Sequence, residues 1–263
     1  MLGRCSGAAL ALCAFGCGTP PLEPRDPDPG VAHFTVQTFN VEFQHASDPA
    51  TVEAVGAADA DVVCLQEVTP DWESAILKRY GDRYPNMLFR ANGGTGGLAA
   101  LSRFALQDLG VLASPDGSHP AWHVLVDSPM GPVELLNVHL RSLLSGPSSP
   151  VKAYLSVGSA HQVEIERYFA SVKLDTPTLA LGDFNEEPDG DAVQFLEHHG
   201  FRDVLPLYHP GQATWRYPHS WQLEQTLDHI LFDDSFEPLD AWVVDQGNSD
   251  HIPVVAHFEA ARR

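Results

Sequence analysis

The sequence predicts an α/β domain built from two packed mixed β-sheets with helices on the outside. Three observations predict it. Short apolar runs bounded by turn residues alternate with stretches of helical spacing from residue 31 onward. Some runs follow one another with only a turn between, as antiparallel neighbours do, while others are separated by a helix, as parallel neighbours require. The chain has 263 residues of which 44% are hydrophobic, enough for a sizeable core, and it carries no internal repeat.

Read from its start, the chain first predicts an export signal over residues 1–16. Arg4 gives a positive charge, and Ala8 to Phe15 is apolar but far too short to span a bilayer as a helix. Ala14-Phe15-Gly16-Cys17 then resembles a lipobox, with a small residue just before the cysteine that would be cleaved and lipidated. The expectation is an exported bacterial lipoprotein of the cell envelope, periplasm or outer surface; a plain secretory signal and an uncleaved tail are the rivals. Residues 17–30 carry proline at 20, 21, 24, 27 and 29, which blocks helix and sheet and predicts an extended tether. The folded domain is then expected over 31–263.

Within it, Phe34 to Val41 is rich in β-branched and aromatic residues and predicts a strand. Pro49 to Ala58 predicts a short helix, and Asp61 to Gln66 a buried strand because its apolar run is continuous. Pro70 to Tyr80 predicts a helix, with Thr69 as N-cap and proline at the first helical position. Strands follow near 86–90, 98–103, 106–112, 121–127 and 132–140. The glycines between 93 and 97 match neither nucleotide-binding glycine pattern and predict a loop. Ser156 to Val172 has helical spacing, Thr178 to Leu181 reads as a buried strand, and Asp191 to His199 as a helix. Leu227 to Phe232, Ala241 to Val244 and Val254 to Phe258 complete the sheets.

Charge narrows the partners. Fifteen Lys and Arg stand against 35 Asp and Glu, a net of 15 − 35 = −20, so long-range forces repel nucleic acid and no stable nucleic-acid complex is expected. This argues against a processive, DNA-coating protein but not against nuclease chemistry, because a metal ion and a few local Arg residues can hold one phosphate. Of four cysteines, only Cys64 lies in the domain, inside an apolar run, so a buried inert thiol is expected and the core alone must hold the fold.

Strands in this chain repeatedly end in polar residues. Val36 to Phe39 leads into Asn40, Val62 to Gln66 into Glu67, Leu135-Leu136 into Asn137-Val138-His139, and Leu179 to Gly182 into Asp183-Phe184-Asn185. A buried strand that ends this way puts a carboxylate or amide at the sheet rim, where a site can form. Residues two apart on a strand face alike, so Asp183 and Asn185 should point together with Phe184 turned to the core. Asp250 and His251 are adjacent and can converge only on irregular backbone, which Gly247-Asn248-Ser249 supplies.

These segments resemble the endonuclease/exonuclease/phosphatase superfamily, which includes pancreatic-type deoxyribonucleases, abasic-site endonucleases, sphingomyelinases and inositol-polyphosphate 5-phosphatases. The resemblance rests on an ordered set: Thr-Phe-Asn-Val-Glu (38–42), Leu-Gln-Glu-Val (65–68), Gly-Leu-Ala-Ala-Leu-Ser-Arg (97–103), Asn-Val-His-Leu (137–140), Gly-Asp-Phe-Asn (182–185), Thr-Trp (214–215), Leu-Asp-His-Ile-Leu (227–231) and Ser-Asp-His-Ile-Pro-Val (249–254). It implies a four-layer α/β sandwich and a metal-dependent phosphoesterase. Glu67, Asn40 and Asp250 would bind Mg²⁺ or Mn²⁺, whose preference is for hard oxygen ligands. His251 would contact the scissile phosphate or take a proton from the attacking water, with Asp228 holding its tautomer. Asp183 would align or deprotonate the nucleophile, and Asn185 and His139 would donate hydrogen bonds to phosphoryl oxygens. The carboxylate that pairs with the residue equivalent to His139 in deoxyribonucleases has no assignable position here.

Taken singly, any such residue is usually a cap or a solvated turn; the ordered set is what singles these eight out. His229 is expected in packing, His198 and His199 at a helix end, and Trp215 packed near the site, with stacking on a substrate as its alternative, while His123 and His161 stay open. Arg141 and Lys152 could steer a phosphate or be ordinary surface charge. The functional expectation is an exported, monomeric phosphoesterase. A phosphodiester is preferred as substrate, with nuclease-like or phospholipase C-like cleavage. The alternatives are a phosphomonoesterase of the same fold and a non-catalytic module that retains it.

Overall fold

The computed structural model describes residues 20–115, 117, 119–142, 150–173, 175–217 and 223–262, with backbone alone for 150–159. The expected export signal and Cys17 lie outside the described residues, as does the side chain of Lys152. Among the described residues no helix is long and apolar enough to cross a membrane.

Two six-stranded mixed sheets form the centre. The first has strand order β13 (Phe236–Val243), β14 (Val254–Ala260), β1 (His33–Asn40), β2 (Val62–Gln66), β4 (Leu98–Ser102), β3 (Asn86–Arg90). The second runs β5 (Leu106–Leu112), β6 (Ala121–Ser128), β7 (Gly131–His139), β8 (Thr178–Asp183), β12 (Asp228–Phe232), β9 (Arg202–Asp203). In each sheet a parallel pair sits near the middle, β1 with β2 and β7 with β8, as the intervening helices require. Their facing sides make the largest core, in which Val36, Cys64 and Ala256 of one sheet meet Trp122, Leu135, Leu181 and Ile230 of the other.

Helices cover the outer faces. Helices α1 (Pro49–Ala54) and α2 (Pro70–Tyr80) set Ala54, Trp72, Ile76 and Tyr80 against Val63, Leu65 and Leu101. On the other side, α3 (Pro150–Phe169) and α4 (Asp191–His198) lay Ile165, Val193 and Leu196 over Leu136, Val138 and Ala180. The result is the four-layer α/β sandwich expected from the sequence.

Boundaries differ where local chemistry overrides pattern. Helix α1 stops at Ala54 instead of continuing to Ala58, because the Tyr80 hydroxyl reaches its last turn, donating to Val52 O at 2.8 Å and accepting from Gly56 N at 3.1 Å. Helix α3 begins at Pro150, earlier than its apolar spacing suggests. Strand β13 begins at Phe236, five residues before the expected start, since Pro238 is absorbed by a register shift between Pro238 and Asp240. The Thr69 hydroxyl does cap α2, accepting from Trp72 N at 3.3 Å. Residues 20–28 form neither helix nor strand, as their prolines dictate, and 29–30 make a turn; the segment runs along the domain instead of standing clear of it. Leu22 N donates to Leu207 O at 2.7 Å, Arg25 N to Leu239 O at 3.0 Å, and Asp28 N to Glu259 Oε2 at 2.8 Å.

Candidate active site

The registers carry the polar strand ends to one place. Asn40 pairs with Gln66 across β1 and β2, His139 with Asp183 across β7 and β8, and Asp183 with Asp228 across β8 and β12. Because the sheets are packed face to face, these ends meet: Asn40 Nδ2 donates to Asp183 Oδ2 at 2.9 Å, from one sheet to the other. Beneath them Gln66 Nε2 donates to Asn137 Oδ1 at 2.7 Å, and Asn137 Nδ2 to the carbonyls of Leu65 and Ala99. This buried polar layer fixes the spacing of the two sheets directly under the site.

Backbone irregularity finishes the arrangement. Among the described residues four non-glycine residues have left-handed backbone, and three are here: Glu42 (φ 55°), Glu67 (φ 63°) and Asn185 (φ 52°). Each turns a side chain into the cavity just past a strand end. The expectation that Asp183 and Asn185 share a face therefore holds by another route. Strand β8 ends at Asp183, Asn185 N donates back to Asp183 Oδ1 at 2.9 Å, and the left-handed turn brings the Asn185 amide round while Phe184 is buried. Gly182 lets β8 lie close against β7: its φ is +145°, and a Cβ there would stand 1.9 Å from the Val138 carbonyl oxygen.

His251 Nδ1 lies 2.8 Å from Asp228 Oδ2, and its Nε2 lies 3.5 Å from Asp183 Oδ2. Burial opposes a charge on this ring, but Asp228 and then Asp183 outweigh it and push the imidazole up to about 10. Both ring nitrogens then carry protons, so His251 can donate to an oxygen placed at Nε2. Asp228 is itself positioned by Thr214, whose hydroxyl accepts from the backbone N of Leu227 and Asp228, both at 2.9 Å. The Ser249 hydroxyl donates to Asn40 O at 2.8 Å and accepts from His251 N at 3.1 Å, which is how the adjacent Asp250 and His251 both reach the cavity.

His139 Nδ1 faces the carbonyl oxygen of Thr95 at 3.0 Å, so the glycine-rich loop supplies the partner that no carboxylate provides. Burial pulls this imidazole below its ordinary value, against the opposing pull of Asp183. With Nδ1–H directed at Thr95, the neutral ring presents a lone pair at Nε2, 3.5 Å from Asp183 Oδ2. Donation from Nε2 to a phosphoryl oxygen, the expected role, requires a second proton. One Asn185 amide proton is likewise engaged, by Leu140 O at 2.9 Å.

Glu42, Glu67, Asp183 and Asp250 all line the cavity, and among its described lining residues there is no Lys or Arg. Burial first, and then neighbouring carboxylates, hold Glu67 and Glu42 above the ordinary carboxylate range. Carboxylate oxygens crowded together without a basic side chain suit a hard cation. Glu67 and Asp250 offer carboxylate oxygens, with Glu67 Oε1 in a long 3.3 Å contact with Asn40 Nδ2; Asn40 would ligate through Oδ1, which here accepts from Glu42 N at 3.1 Å. Asp183, Asp228 and His251 also bring ligand atoms within 4.8 Å of one another. Two of these residues, His251 and Asp228, are hydrogen-bonded to each other, and Asp183 accepts from Asn40 and Asn185, which favours the Glu67 side as the cation site.

All eight expected residues thus gather at one rim. The sequence reading missed Glu42, although it stands two residues after Asn40 in the segment quoted above. It also missed Thr95, Thr214 and Ser249, whose roles depend on tertiary contact. Trp215 is not merely packed nearby: its Nε1 donates to Asp250 Oδ2 at 2.9 Å. His119 lines the cavity as well, its ring centroid 4.9 Å from that of His139. Arg141 is held by Glu164 at 2.9 Å, His123 by Glu134 at 2.9 Å and His161 by Glu186 at 2.9 Å.

His229, expected in packing, is fully buried with Nδ1 2.6 Å from Asp203 Oδ2. Burial disfavours its charge, but Asp203 prevails and raises it to about 9. A raised folded-state value means that the pair's stabilisation is fully present below the unfolded value of about 6.5 and fades as pH rises through about 9. The denaturant midpoint of the wild type should therefore fall between pH 6.5 and 9.5 more steeply than that of Asp203→Asn. Parallel curves would show that His229 is buried neutral.

Residues 38–251 match the Endonuclease/Exonuclease/phosphatase family. Similar folds occur in several solved structures. An endonuclease/exonuclease/phosphatase from Beutenbergia cavernae has TM-score 0.71 at 18% identity, over 88% of this chain and 72% of that one. Truncated Caenorhabditis elegans TDP2 has TM-score 0.63 at 15% identity, over 87% and 98%. The 3'-5' exonuclease NExo from Neisseria meningitidis has TM-score 0.59 at 20% identity, over 87% and 100%. No curated protein matches the sequence.

Proposed function

The chain belongs to the endonuclease/exonuclease/phosphatase family, and on that premise we propose that it is a divalent-metal-dependent phosphodiesterase acting by in-line attack of water on phosphorus. The observation that carries the reading is the cluster of Glu42, Glu67, Asp183 and Asp250 beside the His251–Asp228 pair, in a cavity without a described Lys or Arg. Glu67, Asn40 and Asp250, with Glu42 beside them, would hold Mg²⁺ or Mn²⁺. When bound, such an ion neutralises charge on the phosphoryl oxygens and orients the ester.

The chain's own groups do the rest. His251, kept charged by Asp228 and Asp183, donates Nε2–H to a phosphoryl oxygen and stabilises the charge that builds there. Asp183 lies between Asn40, His139 and His251, with its carboxylate placed to orient and accept a proton from the attacking water. The second Asn185 amide proton is directed to phosphate. A module that had lost catalysis would have no use for this set.

The purified full chain, supplied with Mg²⁺ or Mn²⁺, is to be screened against chromogenic phosphodiesters and phosphomonoesters, sphingomyelin, RNA and DNA. Diester hydrolysis that stops in EDTA is expected. Cleavage of monoesters alone would replace the diester reading, and no cleavage of any ester would contradict the proposal.

A further inference from the structure

Part of the cavity lining, beside the carboxylates, is apolar. Phe43, Trp215, Tyr217, Leu223 and Leu227 form it, in a space of about 720 Å³ that far exceeds what one phosphate fills. Leu227 is buried, but Phe43, Trp215 and Tyr217 are partly exposed and Leu223 is 48% exposed. Core packing does not account for apolar groups left open to solvent at the edge of an acidic site. Trp215 and Tyr217 stand with ring centroids 5.9 Å apart. They lie on and just beyond β10 (Trp215–Arg216), which pairs with β11 (Glu224–Gln225).

Cations point the same way. A polynucleotide offers one charge per roughly 3.4 Å along each strand, and its affinity comes from several Lys or Arg contacts. Arg141 and Arg216, the described Arg residues nearest the site in sequence, are tied to carboxylates: Arg141 to Glu164, Arg216 to Glu224 at 3.2 Å and to Asp245 at 2.8 Å. Arg90 and Arg103 are paired with Asp108 and Asp61. The site can hold one phosphate through its metal ligands and His251, but nothing described around it would hold the next.

We propose that the substrate is a small phosphodiester with a single phosphate and a bulky apolar substituent that lies against Phe43, Trp215, Tyr217 and Leu223. It is not a polynucleotide. This rests on the phosphodiesterase reading and adds the substrate class to it. The substituent that stays on phosphorus gains binding energy from the wall, while the leaving group departs on the solvent side.

The test uses the full chain with Mg²⁺ and a series of alkyl 4-nitrophenyl phosphates, from methyl to hexyl. The leaving group and intrinsic reactivity are nearly constant along it, and only apolar area grows. Burial yields up to roughly fourfold per methylene, so kcat/KM for the hexyl ester should exceed that for the methyl ester by at least about tenfold. Tyr217→Ala, and independently the exposed Leu223→Ser, should shrink that ratio by at least about threefold. A flat series with the methyl ester cleaved would overturn the apolar subsite and leave the phosphodiesterase reading standing. A single-stranded 20-mer DNA cleaved with higher kcat/KM than the hexyl ester would overturn it in favour of a polynucleotide. Failure to cleave any member, the DNA included, would overturn both readings.

Discussion

His251→Ala is expected to lower turnover by about 10²–10⁴-fold with metal affinity nearly unchanged. The ring is held cationic at the cavity, 2.8 Å from Asp228 and 3.5 Å from Asp183, and no described Lys or Arg lines the cavity to replace it. Asp228→Asn should cost less, because it leaves the ring in place and weakens only its charge and orientation. Its effect should show in the pH profile: without the Asp228 charge, His251 loses its proton at lower pH, and activity should begin to fall at correspondingly lower pH than in wild type. Combining Asp228→Asn with His251→Ala should add little to the single His251 loss, since the two act as one unit. Independent, multiplying losses would contradict the pairing, and a His251→Ala protein as fast as wild type would remove His251 from the chemistry.

Much of this was legible in the sequence, for a physical reason. Buried central strands are continuous apolar runs, so the residue that breaks each run marks the sheet rim. Asn40, Glu67, His139 and Asp183 could be placed on that logic alone. The layers followed from the alternation of runs and helices. The left-handed backbone at Glu42, Glu67 and Asn185 was not legible, because nothing local demands it; the surrounding contacts impose it. Strands β9, β10 and β11 have two residues each, too few for any periodicity, so the apolar wall near Trp215 could not be foreseen. The Thr95 carbonyl that serves His139 is a backbone atom in a loop whose side chains give no sign of it. Prolines between 20 and 29 pointed to chain without helix or sheet, but contact with Leu207 and Leu239 depends on partners far away in sequence.

Glu67→Gln is expected to remove most activity at low metal concentration and to recover part of it in excess Mn²⁺. Glu67 Oε2 accepts from Phe43 N at 3.1 Å, a bond the Gln carbonyl oxygen can keep, so the substitution preserves shape. It removes a negative charge from a largely buried position, where burial already penalises ionisation and neighbouring carboxylates offer no relief. Phe43 N, His251 and Asn40 offset part of that penalty, and a bound cation would offset more of it. Without the Glu67 charge, Asn40 and Asp250 remain as ligands, the metal binds more weakly, and the maximal rate at saturation should fall far less than the affinity. The most direct measurement is therefore a Mg²⁺ titration of diester hydrolysis by EDTA-treated wild type and Glu67→Gln in parallel. The account predicts no activity at zero metal, full recovery of the wild type, and a half-saturating Mg²⁺ concentration raised at least about tenfold in the variant. Full wild-type activity in EDTA, or superimposable titrations of the two proteins, would contradict it.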